Sequence, residues 1–131
     1  MKIAILSNGN GNYSTKRLKE EAIKRGHEVT IVKYRDCYAS IEQNNPTVRY
    51  RGEDLAKFDA IIPRIASSMT RYGTAIVRQL EMQGVYTVSG SLAINRSRDK
   101  LRSMQLLAKA GVGIPKTIVS RNSADIDDLL D

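Results

Sequence analysis

"KIAILSNGNGNYSTKRLKEEAIKRGHEVTIVK", residues 2–33, decides the fold. Its first six residues, Lys2 to Ser7, are a short apolar run that stops at "NGNGN", the pattern of a buried strand followed by a loop. A helix is predicted from about Ser14 to Arg25, with Leu18, Ala22 and Ile23 facing inward and Gly26 closing it. "EVTIVK" (Glu28 to Lys33) reads as the next strand. Strand, helix and strand within so short a stretch make a βαβ unit, so the expected class is α/β, a Rossmann-like parallel sheet flanked by helices.

Working outward, "YRDCYASIEQNNP" is less regular, with Asn and Pro marking a loop. "TVRYRGEDL" then reads as two short strands about the turn Arg51-Gly52, a small hairpin at an edge. "FDAIIPRI" returns to a buried strand. A helix from about Thr70 to Gln83 places Tyr72, Ile76 and Leu80 at four-residue spacing and ends at Gly84. "VYTVS" is the last strand expected in this sheet, and Gly90-Ser91 opens a short helix. After Gly111, "IPKTIVS" reads as a further strand, and "NSADIDDLLD" as the start of a helix capped by Asn122 or Ser123. The acids Asp125, Asp127 and Asp128 sit in its first turn, where the helix dipole favours them without any metal. The expected organisation is one domain over 1–115, followed by the first strand and helix of a second over 116–131.

Composition narrows the chemistry. The 131 residues suffice for one modest core, and 41% hydrophobic with 27% charged residues is ordinary for a globular chain. No apolar run approaches the roughly 18 residues of a membrane span, and the N-terminus lacks the long apolar region of a signal peptide. A cytosolic, membrane-free protein is expected. Cys37 and His27 are the only residues of their kinds, which excludes an internal disulfide and the usual Cys/His zinc sites. His27 follows Gly26 at a helix end, a place that suits a cap better than a catalytic base. The net charge of +7 is concentrated late: residues 67–121 carry 9 basic and 2 acidic side chains. Such a surface suits phosphates or acidic peptides. With one Phe and no Trp, direct nucleic-acid binding is not expected.

In a parallel sheet the loops after the strands meet at one edge, and ligands bind where the strand order reverses. Those loops supply Ser7, Asn8, Gly9 and Gly11, then Arg64, Ser67 and Ser68, then Ser89, Gly90 and Ser91. "GNGNYS" (Gly9 to Ser14) is a degenerate dinucleotide pattern: Ser14 replaces the third glycine, and the second strand ends in Lys33 where a ribose-binding acid belongs. It reads as a plain strand-to-helix turn, with a dinucleotide site of a reductase as the alternative. Arg64, at a strand end, has two readings, an ion pair with Asp59 and an anion-binding role.

"NRSRDKLRSMQLLAKAGVGIP", residues 95–115, holds a further question. At 100° per residue, Arg98, Arg102, Gln105 and Lys109 form a polar face, while Leu101, Met104, Leu107 and Ala108 form an apolar stripe. Lys100 falls on the apolar side. Either its stem lies along the stripe while the ammonium reaches solvent, or it joins the free amides of a helix start in a phosphate site.

"FDAIIPRI" followed by "RSRDKLRSMQLLAKAGVGIPKT", together with "YSTKRL", "RGHEV" and the "YRG" turn, strongly resembles the N-terminal part of RimK-type glutamate ligases of the ATP-grasp superfamily. The resemblance covers essentially the whole chain. It departs from the family pattern at Ala66, where a glycine is usual, and at Ser89, where an asparagine is common. It implies a pre-ATP-grasp domain and the opening of an ATP-grasp domain, with Lys100 at the phosphates of ATP; Asn8, Arg64, Ser67 and Ser89, placed by the strand-end loops, are the residues expected in the substrate crevice. The implied reaction is phosphorylation of a carboxylate by ATP with Mg2+, or Mn2+ in its place, then attack by the amino group of glutamate. The implied acceptor is the tail of a small-subunit ribosomal protein or a growing polyglutamate chain. Charge stabilisation by cations suits such a reaction without histidine. In that family the other ATP and metal ligands lie beyond Asp131, so no catalytic or metal residue is expected among these 131 and the fragment should not turn over ATP alone. A free-standing anion-binding domain is the competing reading. Oligomeric state is left open.

Overall fold

The computed structural model describes residues 1–9 and 11–122, which fall into two compact units, one ending at Asn95 and one beginning at Arg96. The first unit is built on the predicted βαβ step. Strand β1 (Lys2–Ser7), helix α1 (Tyr13–Lys24) and strand β2 (Glu28–Lys33) are followed by three short strands, β3 (Cys37–Ser40), β4 (Thr47–Tyr50) and β5 (Glu53–Asp54). Then come β6 (Ala60–Pro63), α2 (Thr70–Met82), β7 (Tyr86–Thr87) and α3 (Ser91–Arg98). The division between the units falls inside α3.

The main sheet has the order β2-β1-β6-β7 and is parallel throughout. Strand β1 pairs on both sides, Ile3 to Leu6 facing Val29 to Val32 on one and Ala60 to Pro63 on the other. A strand paired on both edges in a covered sheet must be apolar throughout, and Ile3 to Leu6 are all buried. Alternation sends Ala4 and Leu6 to one face. There they join Val32 and Ile61 against Ile76, Val77 and Leu80 of α2 and against Val48 and Leu55 from the short-strand region.

Helix α1 packs on β1 and β2 through a narrower stripe than the sequence suggests. Thr15 is buried, with Leu18 and Ala22 partly covered, whereas Ile23 is 51% exposed. Thr15, Leu18 and Ala22 lie within one helical face, and Ile23 is a further 100° round. Gly26 closes the helix at φ +79°, with its amide on the Ile23 carbonyl (2.9 Å) and that of His27 on the Ala22 carbonyl (3.1 Å).

The segment after β2 is more ordered than expected. Tyr34–Asp36 forms a 3-10 turn, and Cys37–Ser40 pairs antiparallel with β4 to give the second sheet, β3-β4-β5. The predicted hairpin about Arg51-Gly52 is present as a two-residue turn in which both residues have positive φ, 52° and 83°. That is the turn whose twist matches paired strands, with an arginine where Asn or Gly is usual. Buried Gln79 of α2 fastens this sheet to the core: its side-chain amide donates to the carbonyls of Ser40 (2.8 Å) and Thr47 (2.7 Å).

In the second unit, α4 (Lys100–Lys109) is capped by Asp99, whose carboxylate accepts the Arg102 amide at 3.0 Å. Gly111 at φ +71° ends it. The apolar stripe is not a core face among the described residues: Leu101 is 45% and Leu107 40% exposed, and Lys100 is exposed beside them. Residues 114–120, expected as a strand, pair with no strand among the described residues, and an isolated strand has no ladder to define it. The acids Asp125, Asp127 and Asp128 and the helix predicted around them lie outside the described residues.

Candidate functional site

The strand order reverses at β1: the chain leaves it for β2 on one side and returns to β6 on the other. The crevice of a doubly wound sheet opens at such a point, between the loops after β1 and β6. Ser7 and Asn8 follow β1, Arg64 and Ser67 follow β6, and Ser89 follows β7, so three adjacent parallel strands carry the predicted crevice residues to one edge.

Arg64 is the residue most firmly placed. Its backbone amide donates to the Leu6 carbonyl at 2.8 Å, extending the β1-β6 ladder by one bond. The next residue, Ile65, is buried against α2 at Gly73, where a Cβ would stand 2.4 Å from Ile65 Cγ2. The amide after that, of Ala66, donates to the hydroxyl of fully buried Tyr34 at 3.1 Å. Three consecutive residues are thus tied to three different elements, which gives the Arg64 side chain a rigid base. Its guanidinium donates to Ser14 Oγ at 2.8 Å, bridging from the β6 loop to the first turn of α1.

The ion pair with Asp59 does not form. Asp59 precedes β6 and Arg64 follows it, so the two stand at opposite ends of the strand, and the Asp59 carboxylate accepts the Lys2 amide instead. Among the described residues no carboxylate lies within ion-pair distance of Arg64.

Around this base the small polar groups have distinct roles. Ser7 Oγ lies 3.2 Å from Thr15 Oγ1 and locks the start of α1 onto the end of β1. The buried carboxamide oxygen of Asn8 has no hydrogen-bond partner among the described residues. The Ser67 carbonyl accepts the Thr70 hydroxyl at 2.8 Å, and that of Ser89 accepts the Thr87 hydroxyl at 3.0 Å, which leaves both serine side chains at the surface. Glu81 takes the amide and hydroxyl of Ser91, so the start of α3 is already occupied by a carboxylate. Neither Gly9 nor Gly11 is required by a left-handed φ or by nearby protein atoms, which favours the plain-turn reading of "GNGNYS".

Burial, with Asp36 beside it, pushes the Cys37 thiol up to about 12, so it stays neutral and is no nucleophile at ordinary pH. Among the described residues no group of three or more His, Cys, Asp or Glu is placed to hold a metal ion, and no helix is long and apolar enough to cross a membrane. Lys100, in the second unit, is the first residue of α4, with no carboxylate within ion-pair distance among the described residues. Sequence reasoning missed Tyr34, Ser14 and Gly73 as supports of Arg64. Only Gly73 left a signal, a glycine inside an otherwise good helix.

A parallel sheet with helices on its faces, a polar crevice at its reversal point and an anchored arginine there define a doubly wound α/β domain. The model of the RimK PreATP-grasp domain matches residues 1–94, and the chain belongs to that family. Among curated relatives, "Probable alpha-L-glutamate ligase 1" of Pseudoalteromonas atlantica is 55% identical over 130 residues, 99% of this chain and 43% of the relative. "Probable alpha-L-glutamate ligase" of Hydrogenovibrio crunogenus is 56% identical over 131 residues, 100% of this chain and 44% of the relative. The chain therefore spans less than half the length of these relatives. Solved structures similar in fold include the ATP-grasp ligase PsnB complexed with its minimal precursor (TM-score 0.73, 15% identity, 98% of this chain and 48% of that one). The macrocyclase MdnB from Microcystis aeruginosa is another (TM-score 0.71, 13% identity, 99% and 58%). At these identities the likeness is one of fold.

Proposed function

We propose that this chain is the substrate-binding part of an ATP-dependent carboxylate–amine ligase that adds L-glutamate to an acidic acceptor. The observation that carries the proposal is the 55% identity, along 99% of this chain, with a relative named as an alpha-L-glutamate ligase. The acceptor is the tail of a small-subunit ribosomal protein or a growing polyglutamate chain. Residues 1–115 form the pre-ATP-grasp domain, and 116–131 open the ATP-grasp domain.

ATP, with Mg2+, supplies the phosphoryl group that turns the acceptor carboxylate into an acyl phosphate, which the glutamate amino group then attacks. An exposed ammonium in the first turn of a helix, in no ion pair among the described residues, fits the phosphates, and Lys100 takes that role. The described residues offer no metal cluster, so no step is assigned to a metal on this chain. In the crevice, Arg64, Ser67, Ser89 and Asn8 bind and orient the substrate. The Asn8 oxygen, which has no hydrogen-bond partner among the described residues, supports this, since a substrate N–H would supply the donor it lacks. Holding two reactants in register, without a histidine base, is the protein's main contribution.

The whole protein should release ADP only when glutamate and an acceptor ending in glutamate are both present. Lys100→Ala should raise the KM for ATP about tenfold or more, as expected for loss of one charge-assisted contact of about 1.5–3 kcal/mol. ADP release indifferent to glutamate would overturn the reading.

A further inference from the structure

Arg64 overlooks a cavity of about 390 Å³ lined by Tyr13, Ser14, Arg17, Leu18, Glu21 and Arg64 itself. The one acid in this lining is already engaged. Glu21 accepts from Lys24, Arg25 and Arg17, and the hydrogen bonds from Lys24 and Arg25 hold its carboxyl below the usual carboxylate range. Arg64 spends one bond on the Ser14 hydroxyl, and the rest of its planar fork has no hydrogen-bond partner among the described residues. The electrostatics of the rim point the same way: α1 starts without a side-chain cap at Asn12 and without an acid in its first turn. Beside the guanidinium, Tyr13 is 78% exposed and Leu18 is half-buried. An arginine, an exposed tyrosine and an apolar floor are the elements from which peptide-binding hot spots are made.

We infer that this cavity is a docking subsite for an acidic peptide. A glutamate side-chain carboxylate of the acceptor takes the open N–H groups of Arg64, and its methylenes lie against Leu18 and Tyr13. A fork geometry favours a carboxylate over a neutral amide, because the amide would leave the cation without a counter-ion. The inference rests on the glutamate-ligase reading for the identity of the acceptor, and it adds the residues that select an acidic one.

The test is steady-state kinetics of the whole protein with tetraglutamate as acceptor, for wild type, Arg64→Gln, Arg64→Lys and Tyr13→Ala. Arg64→Gln should raise the acceptor KM about 10- to 100-fold while leaving the KM for ATP within about twofold, and Arg64→Lys should recover part of the loss. Tyr13→Ala, at a side chain too exposed to matter for folding, should raise the acceptor KM several-fold, and tetraglutamine should not compete. An acceptor KM unchanged in both Arg64→Gln and Tyr13→Ala, or equal competition by tetraglutamine, would overturn the inference with the ligase reading intact. Should wild type form no product, the ligase reading falls, and calorimetric titration with tetraglutamate judges the cavity by itself. Binding lost in Arg64→Gln would uphold it, and equal or absent binding would overturn it.

Discussion

Gly73 sets how closely α2 approaches the loop that carries Arg64. A methyl there would stand 2.4 Å from Cγ2 and 2.9 Å from Cδ1 of Ile65, and Ile65 is buried with little room to yield. Gly73→Ala should therefore destabilise the chain by about 1–3 kcal/mol through overpacking, although alanine favours a helix by about 1 kcal/mol. Thermal melting of the two proteins checks this, and an unchanged or raised midpoint would show that Ile65 repacks freely. At this scale the sequence was informative about position and poor about partners. Arg64 at a strand end was legible, but the candidate counter-ion Asp59 stands at the strand's other end, and the true partner Ser14 is 50 residues away in the chain. Proximity in sequence cannot report such a contact. Lys100 shows the converse: the helical wheel places it on an apolar stripe, yet that stripe is exposed among the described residues, so its charge costs no burial.

Strands and helices with strong periodicity were legible, and those defined by their partners were not. β1, β2, α2 and the β4-β5 hairpin follow from apolar runs, four-residue spacing and a turn dipeptide. β3 carries no such pattern, since only Cys37 of its four residues is buried, and it exists because β4 offers a complementary edge. Residues 114–120 have the composition of a strand and, among the described residues, no edge to join. Gln79 links the small sheet to α2 by spanning the carbonyls of Ser40 and Thr47 with one buried amide. Gln79→Ala would leave both carbonyls without their donor and should cost about 1–3 kcal/mol. Hydrogen exchange should then be faster at the amides of β3 and β4 than at those of β1. Equal protection in both sheets would mean that the small sheet is held by its apolar contacts alone.

For the whole molecule, the parallel sheet brings the loops after β1, β6 and β7 to one edge, and the order of strands and helices was legible enough in the sequence to name those loops. In the proposed account a single anchored arginine, Arg64, gives that edge its preference for carboxylates. The second compact unit contributes a lysine at a helix start, the type of group that ATP phosphates require. Membership of the RimK PreATP-grasp family and the identity to relatives named as glutamate ligases are what the proposed account rests on, in which this edge holds an acidic acceptor for ATP-driven addition of glutamate. The most direct measurement is mass spectrometry of a glutamate-ended acceptor after incubation of the whole protein with ATP, Mg2+ and L-glutamate. A ladder of products separated by single glutamyl residues is predicted, and an acceptor of unchanged mass while ATP is consumed would contradict the account.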